Sequence, residues 1–279
     1  MMLNVPDIQI EQTPAGGAPM PAPAAPMPAP AAPMPIRKKV TAGSSQILRF
    51  ARSERILHWC IAAPFLLSLA TGLIMVLIYN PDPSRPLRGF FSYLHRISGA
   101  ALILLPMLAT FKSRGDARIH LYNIKQAWTW IFDDFKWLAL MGVAAVNPKI
   151  KLPEQGKFNA AEKINFMVLM ATYPLYVATG LLMWLTPLAI LSWLLHFFMA
   201  LNAVPLIGGH LYMALINPSS RKGLNGMITG HVDRSWGKHH YRRWYRDHHE
   251  ADEQAPEETS EAPSSSAASA PDTESLIAR

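Results

Sequence analysis

Residues 164–220 read INFMVLMATYPLYVATGLLMWLTPLAILSWLLHFFMALNAVPLIGGHLYMALINPSS, 57 residues without an Asp, Glu, Lys or Arg. As one helix this stretch would be about 85 Å long, nearly three times the hydrocarbon thickness of a bilayer. It must fold back. Thr186-Pro187 is the natural break, because proline cannot continue a helix. Two earlier stretches are similar: Ile56–Tyr79 carries no charge over 24 residues, and Gly89–Phe111 carries only Arg96 over 23. The pattern predicts helices over 54–79, 89–112, 160–186 and 189–216, each long enough to span ~30 Å of hydrocarbon. The expected fold is all-α, an integral membrane four-helix bundle over 47–220.

Charge gives the orientation. The net charge is +7, yet only 16% of the residues are charged. Of the 26 basic residues, 23 lie before the first span, between the second and third, or after the fourth. The other two connections offer only Arg85 and Arg88. The positive-inside rule then puts both termini and the central connection in the cytoplasm. The basic balance reports orientation, so no nucleic-acid partner is expected. The single cysteine, Cys60, excludes a disulfide scaffold and a cysteine-ligated zinc or iron–sulfur site.

Between the second and third spans, the linker 113–159 alternates Ile119, Trp128, Trp130, Ile131, Phe135 and Trp137 with Lys125, Asp133, Asp134 and Lys136. An amphipathic helix lying on the membrane surface is expected there, with its tryptophans at the headgroup level. The flanks are simpler. Residues 1–46 form a Pro/Ala-rich tail in which APMPAPA recurs between Ala18 and Pro35, expected to be a disordered tether. Its start lacks a basic segment followed by an apolar run, so no secretory signal is expected. Residues 221–249 are a basic, histidine-rich extension, and 250–279 an acidic tail expected to be disordered.

Four of the ten histidines fall inside the predicted spans: His58, His95, His196 and His210. Imidazoles in lipid surroundings need partners, and an interhelical hydrogen bond is the bland alternative for any one of them. As a set they say more. His196 and His210 are 14 residues apart, so they share one helix face and stand about 21 Å apart along the axis. Helix one begins inside and helix two outside. His58 is therefore level with His210 at the inner side, and His95 with His196 at the outer side. Two opposed imidazole pairs in a four-helix bundle suit two haems, each with two axial histidines. Gly99 lies one turn from His95 on the same face, which leaves room for a macrocycle. Arg96, beside a ligand and inside a span, is a candidate partner for a haem propionate; Arg49 reads as an ordinary basic residue at a helix start. Stacked haems would form an electron wire. With no nucleotide loop or flavin fingerprint, the chain is expected to carry electrons for other subunits.

Several segments together carry a resemblance. They are Arg49-Phe50, Glu54-Arg55-Ile56-Leu57-His58-Trp59, Thr71-Gly72, His95 with Gly99, and Gly156-Lys157-Phe158-Asn159 with Lys163. Later come Thr179-Gly180, His196, His210-Leu211-Tyr212-Met213-Ala214, Gly226-Met227-Ile228-Thr229-Gly230, Trp236, His239-His240 and Arg243-Trp244-Tyr245. Over about residues 47–249 the chain resembles the gamma subunit, a di-haem cytochrome b, of respiratory formate dehydrogenases. The resemblance implies two b-type haems, with His95 and His196 holding the outer one and His58 and His210 the inner one. It implies a quinone (menaquinone or ubiquinone) beside the inner haem, near His210, with Asn159 as hydrogen-bond partner and Gly156 allowing close approach. It implies an iron–sulfur beta subunit and a molybdenum- or tungsten-containing alpha subunit as partners, in a bacterial cytoplasmic (inner) membrane. Formate oxidation would belong to that alpha subunit, and this chain would be the quinone-reducing part of the oxidoreductase. The family often has Gln where this chain has Glu162, which bears on proton uptake. From the residues alone Asn159 is an N-cap candidate. Rival readings are a cytochrome b serving a hydrogenase or another dehydrogenase, a cofactor-free anchor, and a small-molecule carrier.

Overall fold

The structure is a computed structural model that describes residues 45–79, 84–147, 149–186 and 189–250. The Pro/Ala tail up to residue 44, Pro187 and the acidic tail beyond Glu250 lie outside the described residues. Four helices are long and apolar enough to cross a membrane: Arg52–Tyr79, Arg88–Lys112, Ala160–Leu185 and Ile190–Ile216. The first consists of α1 (Arg52–Ile74) followed by a wider π turn, Met75–Tyr79. Next comes α2 (Arg88–Lys112). After the linker, α5 (Ala160–Leu185) leads to α6 (Ala189–Leu211), which also runs on into a π turn, Tyr212–Ile216. The break between α5 and α6 falls at Thr186, as the proline pattern required. The chain is thus an integral membrane four-helix bundle.

In the bundle α1 packs along α2, α5 packs along α6, and α2 touches α5. Phe65, Leu102 and Ala203 form a buried layer at mid-height, flanked by Tyr173 and Tyr176. Each span carries one internal proline: Pro64, Pro106, Pro174 and Pro205. A proline frees the carbonyl four residues earlier, which lipid cannot satisfy. For Pro106 that carbonyl is Leu102, and the Tyr173 hydroxyl of α5 donates to it at 2.7 Å. One bond therefore repairs α2 and ties it to α5.

The linker holds two helices, α3 (Ala117–Trp128) and α4 (Phe132–Val146), where one amphipathic helix was expected. The break at Thr129–Ile131 is built around Lys163 of α5. Its Nζ reaches the Thr129 carbonyl at 2.9 Å and Asp134 Oδ2 at 2.7 Å. Asp134 in turn accepts the Ile131 amide at 3.0 Å, starting α4 afresh. An ion pair from a distant helix therefore decides where the linker bends.

The histidine-rich extension is also structured, and it packs at the end of the bundle where α1 begins and α6 ends, here the near end. It comprises α7 (Leu224–Ile228), β2 (His231–Asp233), α8 (Arg234–His240) and α9 (Arg242–Tyr245). Strand β1 (Gln46–Leu48) pairs antiparallel with β2, placing Ile47 opposite Val232. This short ribbon departs from a strictly all-α chain. Ile47, Val232, Trp236, Tyr241, Trp244 and Tyr245 form its own small core, a cap on the bundle. Gly230 turns the chain at φ 97°, and a side chain there would put Cβ 2.9 Å from the Phe50 carbonyl oxygen. Its carbonyl accepts the amides of both Arg49 and Phe50. Arg49 is 2% exposed, with its guanidinium 3.6 Å above the Tyr241 ring. Read from sequence as an ordinary basic residue at a helix start, it is instead buried in the cap. The aromatic wall that buries it, Tyr241 and Trp244, comes from the far end of the sequence, beyond the reach of local pattern.

Candidate functional site

The four intramembrane histidines meet in the two expected pairs. His95 of α2 and His196 of α6 have ring centres 6.2 Å apart at the far end of the bundle. His58 of α1 and His210 of α6 have centres 6.4 Å apart at the near end. The Phe65–Leu102–Ala203 layer belongs to the bundle between these two levels. A metal–imidazole bond is about 2.0 Å, and a ring nitrogen lies about 1.1 Å from its ring centre. Two imidazoles on opposite sides of one metal therefore have centres ~6.2 Å apart. Both pairs have that spacing, so the donor set fits a bis-histidine haem iron at each level. Among the described residues no group of three or more His, Cys, Asp or Glu is placed to hold another metal ion.

Hydrogen bonds determine the tautomers at the far end. Nδ1 of His95 lies 2.9 Å from the Ser68 carbonyl, which can only accept, so Nδ1 carries the proton. The Thr71 hydroxyl, 3.1 Å from the same nitrogen, gives its own proton to the Leu67 carbonyl at 2.7 Å. His196 repeats the arrangement. Its Nδ1 is 2.8 Å from the Thr179 hydroxyl, which donates to the Leu175 carbonyl at 2.6 Å. In both rings the lone pair is left on Nε2, the nitrogen available to a metal. The glycine after each threonine makes space for the ring. A Cβ on Gly72 would lie 3.3 Å from His95, and one on Gly180 3.7 Å from His196. Thr-Gly on one helix therefore cradles histidine on the next, once in each helical hairpin.

The near end is looser. Among the described residues, His58 Nδ1 is buried without a hydrogen-bond partner. Trp59, edge-on to the His58 ring, donates to the Met227 carbonyl at 3.0 Å, and Arg55 donates to the Ile228 carbonyl at 2.6 Å. Carbonyls of the Gly226–Gly230 segment thus grip α1 on either side of His58.

Loop 155–159 stands beside this end and is held from several directions. Lys157 is 1% exposed, and its Nζ lies 2.6 Å from both Glu54 Oε1 and Asn123 Oδ1. Burial pulls its pKa down while the Glu54 carboxylate opposes the shift. Tyr122, nearby, is pushed up to about 12, mainly by burial and then by Asp247 and Glu54. Asn159 caps α5: Oδ1 accepts the Glu162 amide at 2.9 Å, and the Asn159 amide donates to Glu162 at 2.9 Å. That bond orients the side-chain amide and leaves Nδ2 free to donate elsewhere. Glu162 also accepts the Tyr241 hydroxyl at 2.6 Å. Gly156 is buried, and the close approach its missing Cβ permits is to the Arg243 guanidinium, 3.3 Å from where that atom would be.

Two further expected residues lie on α2. Open space surrounds the position of a Cβ on Gly99. Arg96 is exposed on a different face from His95, 5.8 Å above the Trp184 ring, and lines an apolar cavity of about 600 Å³. Sequence reasoning missed the network of Arg49, Glu54, Asn123 and Lys157. A buried-charge signal was present in Glu54 and Lys157, but their separation of 103 residues hid the pairing.

Comparison with known proteins follows the same lines. The model of the family described as prokaryotic cytochrome b561 matches residues 49–230. The nitrate-inducible formate dehydrogenase cytochrome b556(Fdn) subunit of Escherichia coli K12 is 26% identical over 221 residues, covering 73% of this chain and 92% of that protein. The formate dehydrogenase cytochrome b556(fdo) subunit of the same strain is 27% identical over 217 residues, with 72% and 92% covered. A formate dehydrogenase cytochrome b556 subunit of Haemophilus influenzae is 25% identical over 221 residues, with 74% and 85% covered.

Proposed function

The chain belongs to the prokaryotic cytochrome b561 family, and from that premise we propose that it is the membrane cytochrome b subunit of a formate dehydrogenase complex. It carries electrons across the bacterial cytoplasmic membrane to a quinone, menaquinone or ubiquinone. Its partners are an iron–sulfur beta subunit and a molybdenum- or tungsten-containing alpha subunit that oxidises formate. The observation that carries the reading is the pair of imidazole separations, 6.2 and 6.4 Å, at two levels of one bundle.

His95 and His196 hold one b-type haem at the outer side, and His58 and His210 hold the other at the inner side. Bound there, the two groups supply one-electron carriers between an outer donor and an inner acceptor. Both chain termini, and with them the cap, face the cytoplasm by the distribution of basic residues. The quinone sits between His210 and Asn159. There the free Nδ2 of Asn159 donates to a carbonyl, and loop 155–159 holds that amide in place. Reduction consumes two electrons and two protons, and the cytoplasmic placement of the site makes the protons come from that side. Gly156 shapes the loop through its contact with Arg243, and Gly99 leaves room near the outer haem.

The test is His210→Ala in the assembled complex, read by haem-resolved redox spectroscopy. One of two haem signals should disappear and the other persist, with the iron–sulfur and catalytic subunits still co-purifying. Retention of both signals, or a purified chain without a Soret band, would defeat the reading.

A further inference from the structure

The two histidine pairs differ in what their second ring nitrogens do. At the far end Nδ1 of His95 donates to the Ser68 carbonyl and the Thr71 hydroxyl, and Nδ1 of His196 donates to the Thr179 hydroxyl. At the near end Nδ1 of His58 is enclosed without a partner among the described residues. His210 makes no hydrogen bond from its ring among the described residues. We propose that this asymmetry directs the electron. Thr179 and Thr71, as acceptors for the imidazole N–H groups, give the far-end haem the lower reduction potential, so that electrons run downhill to the near-end one. The proposal rests on the two-haem reading above.

The physical basis is the basicity of the ligand. An imidazole that donates its remaining N–H gains anionic character and pushes more electron density onto the metal. Extra density stabilises the ferric over the ferrous state and lowers the potential. Two donating imidazoles act on the far-end iron. At the near end Nδ1 of His58 has no hydrogen-bond partner among the described residues, so its ring is the weaker donor. The step would be one electron, given up by a ferrous haem held by His95 and His196 and taken up by a ferric one held by His58 and His210. No proton or bond changes place.

The two threonines should not weigh equally. His95 keeps the Ser68 carbonyl if Thr71 is lost, whereas among the described residues Thr179 is the one acceptor at Nδ1 of His196. Thr179 is therefore the stronger positioning residue for the potential.

The experiment is a potentiometric titration of the assembled complex, with the two haem signals assigned by their loss in His196→Ala and His210→Ala. The wild type should show the far-end potential below the near-end one. Thr179→Val should raise the far-end potential; a tenfold loss of ferric preference reads as about 59 mV for one electron. Thr71→Val should raise it less, Thr179→Ser should leave it near wild type, and the near-end potential should stay put in all three. A wild-type far-end potential equal to or above the near-end one overturns the proposal. So does a fully loaded Thr179→Val complex with an unmoved far-end potential. If Thr179→Val fails to hold its haem, the wild-type order and Thr71→Val decide. Absence of two haem signals would sink the two-haem reading itself, whereas two signals in the reverse order sink only this proposal.

Discussion

The Thr179 hydroxyl stands 2.8 Å from His196 Nδ1 and donates its own hydrogen bond to the Leu175 carbonyl. A hydroxyl has one proton, so toward the imidazole it can only accept. The ring is thus fixed in one tautomer by a residue on another helix. The Thr71–His95 contact repeats the device, and in each case a glycine follows the threonine.

Gly72 has less room than Gly180. A Cβ on Gly72 would come within 3.3 Å of the His95 ring, whereas one on Gly180 would sit at an ordinary 3.7 Å from His196. Gly72→Ala should push the ring off its line and weaken far-end haem binding by about tenfold, the range seen when a ligand's support is disturbed. Gly180→Ala should be nearly silent. Haem content per complex, with the near-end spectrum as internal reference, checks both.

In the function proposed above Asn159 has two roles, carried by different atoms, and substitution separates them. Asn159→Asp keeps an oxygen for the Glu162 amide but removes the Nδ2 donor. Asn159→Leu removes both, with a cap loss of about 1 kcal/mol. The aspartate variant should raise KM for quinone while thermal stability is kept, and the leucine variant should lose both. Steady-state quinone reduction and a melting curve on the same preparations distinguish them. Equal KM in wild type and Asn159→Asp would remove Asn159 from the quinone site.

How much of this was readable in advance follows from the range of each interaction. The levels of His58, His95, His196 and His210 depend on helix rise and on which end of each span is basic, and both are local properties of sequence. The ring-to-threonine bonds depend on how far each helix is rotated against its neighbour, which no single helix encodes. Thr71-Gly72 and Thr179-Gly180 were visible as segments, but their attachment to particular histidines was not. The cap was least legible. Its elements are short, its ribbon joins residues 46–48 to 231–233, and its aromatics are spread among basic residues that read as solvent-facing. The bend at Thr129–Ile131 was hidden for the same reason, since Lys163 belongs to a different helix.

The cap should loosen in acid. Burial lowers the pKa of His240 and of His248, against weaker opposing contributions from the Trp236 and Trp244 carbonyls. His239, Arg49 and Lys222 add to the lowering at His240; Asp247 opposes it at His248, and Lys157 adds to it. A histidine with a folded pKa below its unfolded value of about 6.5 binds more protons when unfolded. The stability it contributes is present above that value and is lost as pH falls through the folded pKa. Hydrogen-exchange protection of residues 231–250, corrected for the intrinsic exchange rate at each pH, should therefore fall between about pH 7 and pH 5, with that of the bundle helices unaffected. Replacing both histidines with glutamine should flatten the response.

The buried pair of Lys157 and Glu54 gives the last prediction. Their side chains are 0% and 7% exposed, and the nitrogen-to-oxygen distance is 2.6 Å. Asn123 completes the triangle, donating to Glu54 Oε1 and accepting from Lys157. Breaking such a pair from one side leaves an uncompensated buried charge and costs about 3–5 kcal/mol, while removing both charges together costs much less. Lys157→Met should therefore lower the melting temperature of the complex sharply, and Glu54→Gln with Lys157→Met should recover much of the loss. The readout also reaches function, because Arg49 grips the Lys157 carbonyl and Asn159 is two residues further on. If the pair only stabilises the fold, the double variant should regain normal KM for quinone along with stability. If its charge geometry holds loop 155–159 in register, stability should return while KM stays high. The second outcome is expected, since neither methionine nor glutamine can reproduce the bond that Lys157 makes to both Glu54 and Asn123.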